Sequence, residues 1–201
     1  MKSSLIVGIT GILGSGKTTV SKILKDMGFK VISCDEIVHN ILEKKSVINK
    51  TKKFFGDDIL SEGKIDRKKL RKIIFEDLEK KKKLENLIHP LVFDKIKKEI
   101  FDTKKKGGII FVEIPLLFET KSENLFDRII VVSAPLKEIK KRLVDRYSQE
   151  EIEKIWKSQL PLTYKKKKAD YVIDNSGSIS ETEKKIKRIL KGLNLKTENK
   201  N

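Results

Sequence analysis

The sequence predicts an α/β fold: a five-stranded parallel sheet flanked by helices. Three observations carry this. Short, continuously apolar runs suit strands buried on both faces. Segments of helical periodicity alternate with them, the signature of a parallel sheet with crossover helices. The first apolar run also passes through a glycine-rich turn straight into a helix.

That run, Leu5 to Ile9, ends in Thr10 and Gly11 and reads as the first strand. A helix follows over 17–27, because Val20, Ile23, Leu24 and Met27 keep i, i+3, i+4, i+7 spacing and Gly28 stops it. Phe29 to Ile32 is the second strand, with Asp35 just past its end. From 37 to 106 the pattern is helical and charged, broken by Gly56, Gly63 and Pro90, with no strong strand signal, so it reads as an inserted helical segment. Strands resume at Gly108–Glu113, Arg128–Val132 and Tyr171–Ile173, with helices expected at 136–146, 149–168 and 180–193. Ligands of such sheets bind at the carboxyl ends of the strands, where Thr10, Asp35 and Glu113 fall. The polar tail, 196–201, is expected to fray.

Lysine and arginine outnumber aspartate and glutamate by 46 to 29, a net charge of +17. The excess is lysine scattered through every segment with few aromatics between, a pattern of solvated faces, so no nucleic-acid partner is expected. A positive field still draws small polyanions. Cys34 is the only cysteine, which excludes an intramolecular disulfide. The N-terminal apolar run is too short to span a bilayer, so the expectation is a cytoplasmic protein without membrane contact.

The chemistry concentrates at Gly11-Ile-Leu-Gly-Ser-Gly16-Lys17-Thr18. Glycines at 11, 14 and 16 let the backbone turn and approach phosphate oxygens, and the following helix offers its positive end. Lys17 can reach the β and γ phosphates, and the Thr18 hydroxyl can take a Mg²⁺ position. Gly14, Ser15, Gly16, Lys17, Thr18 and Thr19 are therefore the ATP-binding candidates. Asp35 reads equally as a carboxylate able to accept a hydroxyl proton and as the N-cap of a helix starting near Glu36. Arg142 and Arg146, i and i+4 among only six arginines, are either a phosphate grip or an exposed helix face. Neither His39 nor His89 has metal-ligand company, which argues against zinc.

More than the loop is recognisable. VGITGILGSGKTT at 7–19, Asp35 with His39, GKIDRKKL at 63–70, LENLIHPLV at 84–92, EIPLLFE at 113–119, RLVDR at 142–146, Gln159 and ADYVIDNSG at 169–177 follow in order. In this the chain resembles the dephospho-coenzyme A kinase family over nearly its whole length. The resemblance implies ATP-dependent phosphorylation of the ribose 3′-hydroxyl of dephospho-coenzyme A, the last step of coenzyme A synthesis, with ATP and Mg²⁺. It implies a nucleotide-binding core of 1–36, 107–139 and 169–195, a helical substrate domain at 37–106 and a lid at 140–168. Asp35, Lys17 and Arg146 take the catalytic positions, Arg142 and Asn175 join the ATP site, and Thr10, Asp35, His89 and Leu117 face the substrate. His89 also reads as a helix-start residue beside Pro90.

The chain departs from the family's pattern in places. Ile12 replaces a usual glycine, Ser33 and Cys34 replace a frequent Asp-Ala, Glu113 stands where Asp is common, and Ile139 replaces a frequent Gln. The second departure leaves Asp35 as the only carboxylate of its pair. The competing readings are another P-loop small-molecule or nucleoside monophosphate kinase, and a P-loop switch acting on nucleic acid.

Overall fold

The computed structural model describes residues 3–195, so the expected fraying of 196–201 lies outside the described residues. Contacts divide the chain into two units, one formed by residues up to Ser33 and from Asp102 on, the other by Cys34–Phe101.

The first unit is built on strands β1 (Ser4–Thr10), β2 (Lys30–Ser33), β5 (Gly108–Glu113), β6 (Arg128–Ser133) and β7 (Tyr171–Asp174). All pair in parallel, in the spatial order β2-β5-β1-β6-β7. The central strand is buried from Ile6 to Gly11, as its apolar run requires. The register sets Ile9 and Ser33 on either side of Glu113, and Thr10 beside Val131. Three strand ends thus converge where the glycine-rich loop leaves β1.

Helices α1 (Lys17–Asp26) and α9 (Ile179–Gly192) bury Val20, Ile23, Leu24, Ile186 and Leu190 against Val7, Ile9, Phe111, Ile130, Val132 and Ile173. Burying one such aliphatic side chain stabilises by roughly 1.5–3 kcal/mol, so this cluster anchors the loop's exit helix. Phe29 adds an edge contact to Phe111, with ring centres 5.4 Å apart.

Two helix expectations are corrected. Helix α6 spans Leu136–Leu143 and stops three residues early, so Arg146 lies in the turn beyond it. The span 149–168 divides into α7 (Gln149–Lys157) and α8 (Leu162–Lys168). Pro161 explains the division, since it has no N–H for a continuing helix and disfavours a helical residue before it. Ser148 and Glu151 form a capping box that starts α7.

The second unit contains α2 (Cys34–Leu42), α3 (Lys45–Phe55), α4 (Arg67–Glu76) and, as far as Phe101, α5 (Leu78–Lys106). It also holds a two-stranded hairpin, β3 (Leu60–Ser61) and β4 (Lys64–Ile65), where the sequence carries no strand pattern. Its turn residues Glu62 and Gly63 both have positive φ, the geometry of a tight hairpin turn, yet each strand is too short to show alternation. Pro90, expected to break the helical pattern, sits inside α5. His89 is accordingly a mid-helix residue, which removes its helix-start role.

One buried ion pair ties the first unit together. Lys165 is fully buried and its Nζ lies 2.8 Å from Glu119 Oε1. Nζ also donates to Pro115 O at 3.2 Å, and the backbone N–H of Leu160 donates to the same Glu119 oxygen at 2.8 Å. Removing one partner of such a pair strands the other charge. Lys165→Met should therefore lower unfolding free energy by about 3–5 kcal/mol. Urea denaturation checks this, and Glu119→Gln combined with Lys165→Met should recover part of the loss.

Candidate active site

The loop from Gly11 to Gly16 joins β1 to α1, and its glycines do two separate jobs. Gly14 and Gly16 have φ of 79° and 94°, a region side chains disfavour. Gly14 must also stay bare for packing, because a Cβ there would come within 2.6 Å of Ile139 and 2.9 Å of Leu143. Helix α1 then opens at Lys17 with no side-chain cap on its first N–H groups. The positive end of this ten-residue helix favours an anion.

Lys17 is buried and its Nζ donates back to the loop, to Gly11 O at 3.1 Å and Ile12 O at 3.2 Å. The cation thus lies in the concavity of the loop. Beside it, Thr18 Oγ1 donates to Glu113 Oε1 at 3.4 Å, and Ser21 Oγ to Glu113 Oε2 at 2.7 Å. Glu113 is only 2% exposed, so these hydroxyls hold its carboxylate in place at the end of β5. Ser21 was not singled out from the sequence, although its place one turn after Thr18 could have suggested it. Thr18 and Glu113 present only oxygens, which suits a hard divalent cation that keeps much of its water. Among the described residues no group of three or more His, Cys, Asp or Glu side chains could hold a metal.

The outside of the loop is braced by side chains from distant parts of the chain. Asn175, just past β7 and 5% exposed, donates its amide to Ser15 O at 3.1 Å and accepts from Thr182 Oγ1 at 2.9 Å. Arg142 donates to Asn175 O at 2.6 Å and, more weakly, to Ser15 O at 3.4 Å and Gly14 O at 3.5 Å. Asn175 and Arg142 thus touch the loop itself. Ser15 Oγ is buried with no hydrogen-bond partner among the described residues. Thr19 follows in the first turn of α1.

The loop's tip is held as well. The N–H of Leu13 donates to Gln159 Oε1 at 3.0 Å, and Trp156 Nε1 donates to Leu13 O at 3.4 Å. Ile12 packs into an apolar cluster with Ala134, Ile139, Leu143 and Ile152. Ile12 and Ile139, two of the departures from the family's pattern, therefore share one cluster, and each gives the other an apolar partner.

Thr10 is fully buried and donates to Pro115 O at 3.2 Å. Leu117 is also fully buried, and a Cβ on Gly8 would come within 2.8 Å of it. Arg146 is exposed, and its guanidinium has no hydrogen-bond partner among the described residues. In the second unit, Asp35 is exposed in the first turn of α2. That helix begins at Cys34, so Asp35 is a helical residue rather than its N-cap. A carboxylate there is favoured by the helix dipole. His39, one turn further, lies 3.3 Å from Arg67 and 3.6 Å from Glu43, and His89 is half-buried. Among the described residues no helix is long and apolar enough to cross a membrane.

A family model described as dephospho-CoA kinase matches residues 5–181. The chain is 40% identical over 190 residues to the dephospho-CoA kinase of Aquifex aeolicus, covering 93% of this chain and 96% of the relative. It is 44% identical over 190 residues to that of Carboxydothermus hydrogenoformans, covering 92% of each. The solved dephospho-CoA kinase of Campylobacter jejuni superposes with a TM-score of 0.68 at 34% identity, over 94% of this chain and 97% of the other. A full-length match at this identity, around a formed phosphate-binding loop, places the chain in the dephospho-CoA kinase family.

Proposed function

We propose that this protein transfers the γ-phosphoryl group of ATP to the ribose 3′-hydroxyl of dephospho-coenzyme A, completing coenzyme A. The observation that carries this reading is the family match over residues 5–181, which spans both the phosphate-binding loop and the 34–101 unit.

Each residue has a role that physical chemistry can assign. The first N–H groups of α1, at Gly16 to Thr19, bind the ATP phosphates, with Gly14 and Ser15 shaping the approach. Ser15 Oγ is a buried hydroxyl that a phosphate oxygen would satisfy. Lys17 Nζ exchanges its loop carbonyls for phosphate oxygens and offsets charge as the phosphoryl group moves. Thr18, backed by Glu113, would hold Mg²⁺, which would neutralise charge on the phosphates.

Asp35 accepts the proton of the acceptor hydroxyl. Its exposed carboxylate in the 34–101 unit, the proposed substrate domain, supports that role. Arg146, exposed in the turn after α6, supplies a planar fork for phosphate oxygens from the proposed lid at 140–168. Arg142 and Asn175 act on ATP through the loop backbone they touch, and His89 contributes from the substrate domain. Thr10 and Leu117 are buried, so they shape the substrate side by supporting the segment after β5.

A substrate panel tests the assignment: ADP release from ATP should appear with dephospho-coenzyme A and be absent with nucleoside monophosphates. Equal turnover on AMP or CMP would move the chain to another acceptor. Lys17→Ala should abolish measurable turnover while the melting temperature changes by only a few degrees. Asp35→Asn should lower turnover by about 10²- to 10⁴-fold, the usual range for a general base, with ATP affinity unchanged. Its stability should shift by at most about 0.3–1 kcal/mol, from the lost charge at the helix start. Near wild-type turnover in Asp35→Asn would move the base elsewhere.

A further inference from the structure

The grip on Leu13 is not absorbed by the chemistry above. Leu13 lies in the phosphate-binding loop, and both of its backbone polar groups are taken by side chains from one short stretch, Trp156 and Gln159. That stretch is itself fixed on both sides. Trp156 is in the last turn of α7, and the N–H of Gln159 donates to Trp156 O at 3.1 Å. The next residue, Leu160, donates to Glu119 Oε1, the oxygen that pairs with buried Lys165. Gln159 is thus held between a helix end and a buried ion pair, with its amide oxygen aimed at the Leu13 N–H.

The position of this contact matters. Leu13 directly follows Gly11 and Ile12, whose carbonyls receive Lys17 Nζ, and directly precedes Gly14. Rotation of either peptide flanking Leu13 would turn these neighbours and change which backbone groups face the phosphates. A partner on both the N–H and the C=O of one residue suppresses that rotation.

We propose that Gln159 is a positioning residue for ATP: its bond to Leu13 keeps the phosphate-binding loop in the binding-competent form and links that form to the 149–160 segment. The proposal rests on the phosphoryl-transfer reading for its consequence, although the bond itself is tested without catalysis. A loop that is competent only part of the time binds its ligand more weakly in proportion to the competent fraction.

Two measurements test it. In nucleotide-free protein, the Leu13 amide should exchange slowly with solvent, and in Gln159→Leu at least about tenfold faster, while sheet amides such as Val7 and Phe111 keep their rates. ATP titration should then show about two- to tenfold weaker binding to Gln159→Leu, the worth of one hydrogen bond. The KM for dephospho-coenzyme A and the melting temperature should stay at wild-type values. Trp156→Phe, which removes the other half of the grip and keeps an aromatic ring, should weaken ATP binding in the same direction. An unprotected Leu13 amide in the unaltered protein would overturn the proposal, as would unchanged ATP affinity in Gln159→Leu. Equal losses for both substrates with a lowered melting temperature would show a merely structural residue and overturn it too. If the unaltered protein fails to phosphorylate dephospho-coenzyme A, the functional reading fails instead, and the amide exchange still decides the fate of the bond.

Discussion

A phosphate-binding loop has a problem that its own sequence cannot solve. Its backbone must expose N–H groups toward the ligand, so it cannot satisfy its carbonyls and amides through regular secondary structure. In this protein the remainder is met by Lys17 at the loop's end and by side chains from elsewhere in the same unit. Lys17 takes the carbonyls of Gly11 and Ile12, Asn175 and Arg142 take those of Ser15 and Gly14, and Gln159 and Trp156 take both groups of Leu13. Each such bond contributes about 1 kcal/mol net, but leaving a buried group unpaired costs more. The loop's shape therefore depends on the set.

The parallel sheet explains how residues so far apart in sequence reach one loop. Crossover connections bring the ends of β1, β2 and β5 to the same edge of the sheet, and Glu113 is placed between Ile9 and Ser33 by register alone. The strand after the 140–168 segment delivers Asn175 from the opposite flank of β1, because β6 and β7 continue the sheet on that side. The buried Lys165–Glu119 pair then closes the return path of that segment onto the residues after β5. Net positive charge adds a long-range pull on nucleotide phosphates without specifying where they bind.

The five strands, the loop and α1 were legible because their signals are local: continuous apolar runs, a helical stripe and three spaced glycines. The hairpin at 60–65 was not, since two-residue strands carry no period. Pro90 misled because a proline ordinarily ends a helix, and here α5 runs on through it. Lys165 shows the limit most clearly. It stands first in a run of four lysines whose other three are exposed, and nothing in composition separates the buried one from its neighbours. Gln159 was visible as a motif residue, but its partner is a backbone amide 146 positions away. Such a contact leaves no trace in side-chain pattern. Asp35 illustrates a milder error: the acid near a helix start was seen, while the helix begins one residue before it rather than after.

Side chains outside the loop set its affinity for nucleotide, and Asn175 offers the cleanest test. Its amide bonds the Ser15 carbonyl and Thr182 but is buried behind the loop. Calorimetric titration of ATP into Asn175→Ala, with the melting temperature recorded on the same sample, separates loop geometry from global stability. Asn175→Ala should stay folded and bind ATP about three- to tenfold more weakly, in line with one or two lost hydrogen bonds. Wild-type affinity in a folded Asn175→Ala protein would contradict it.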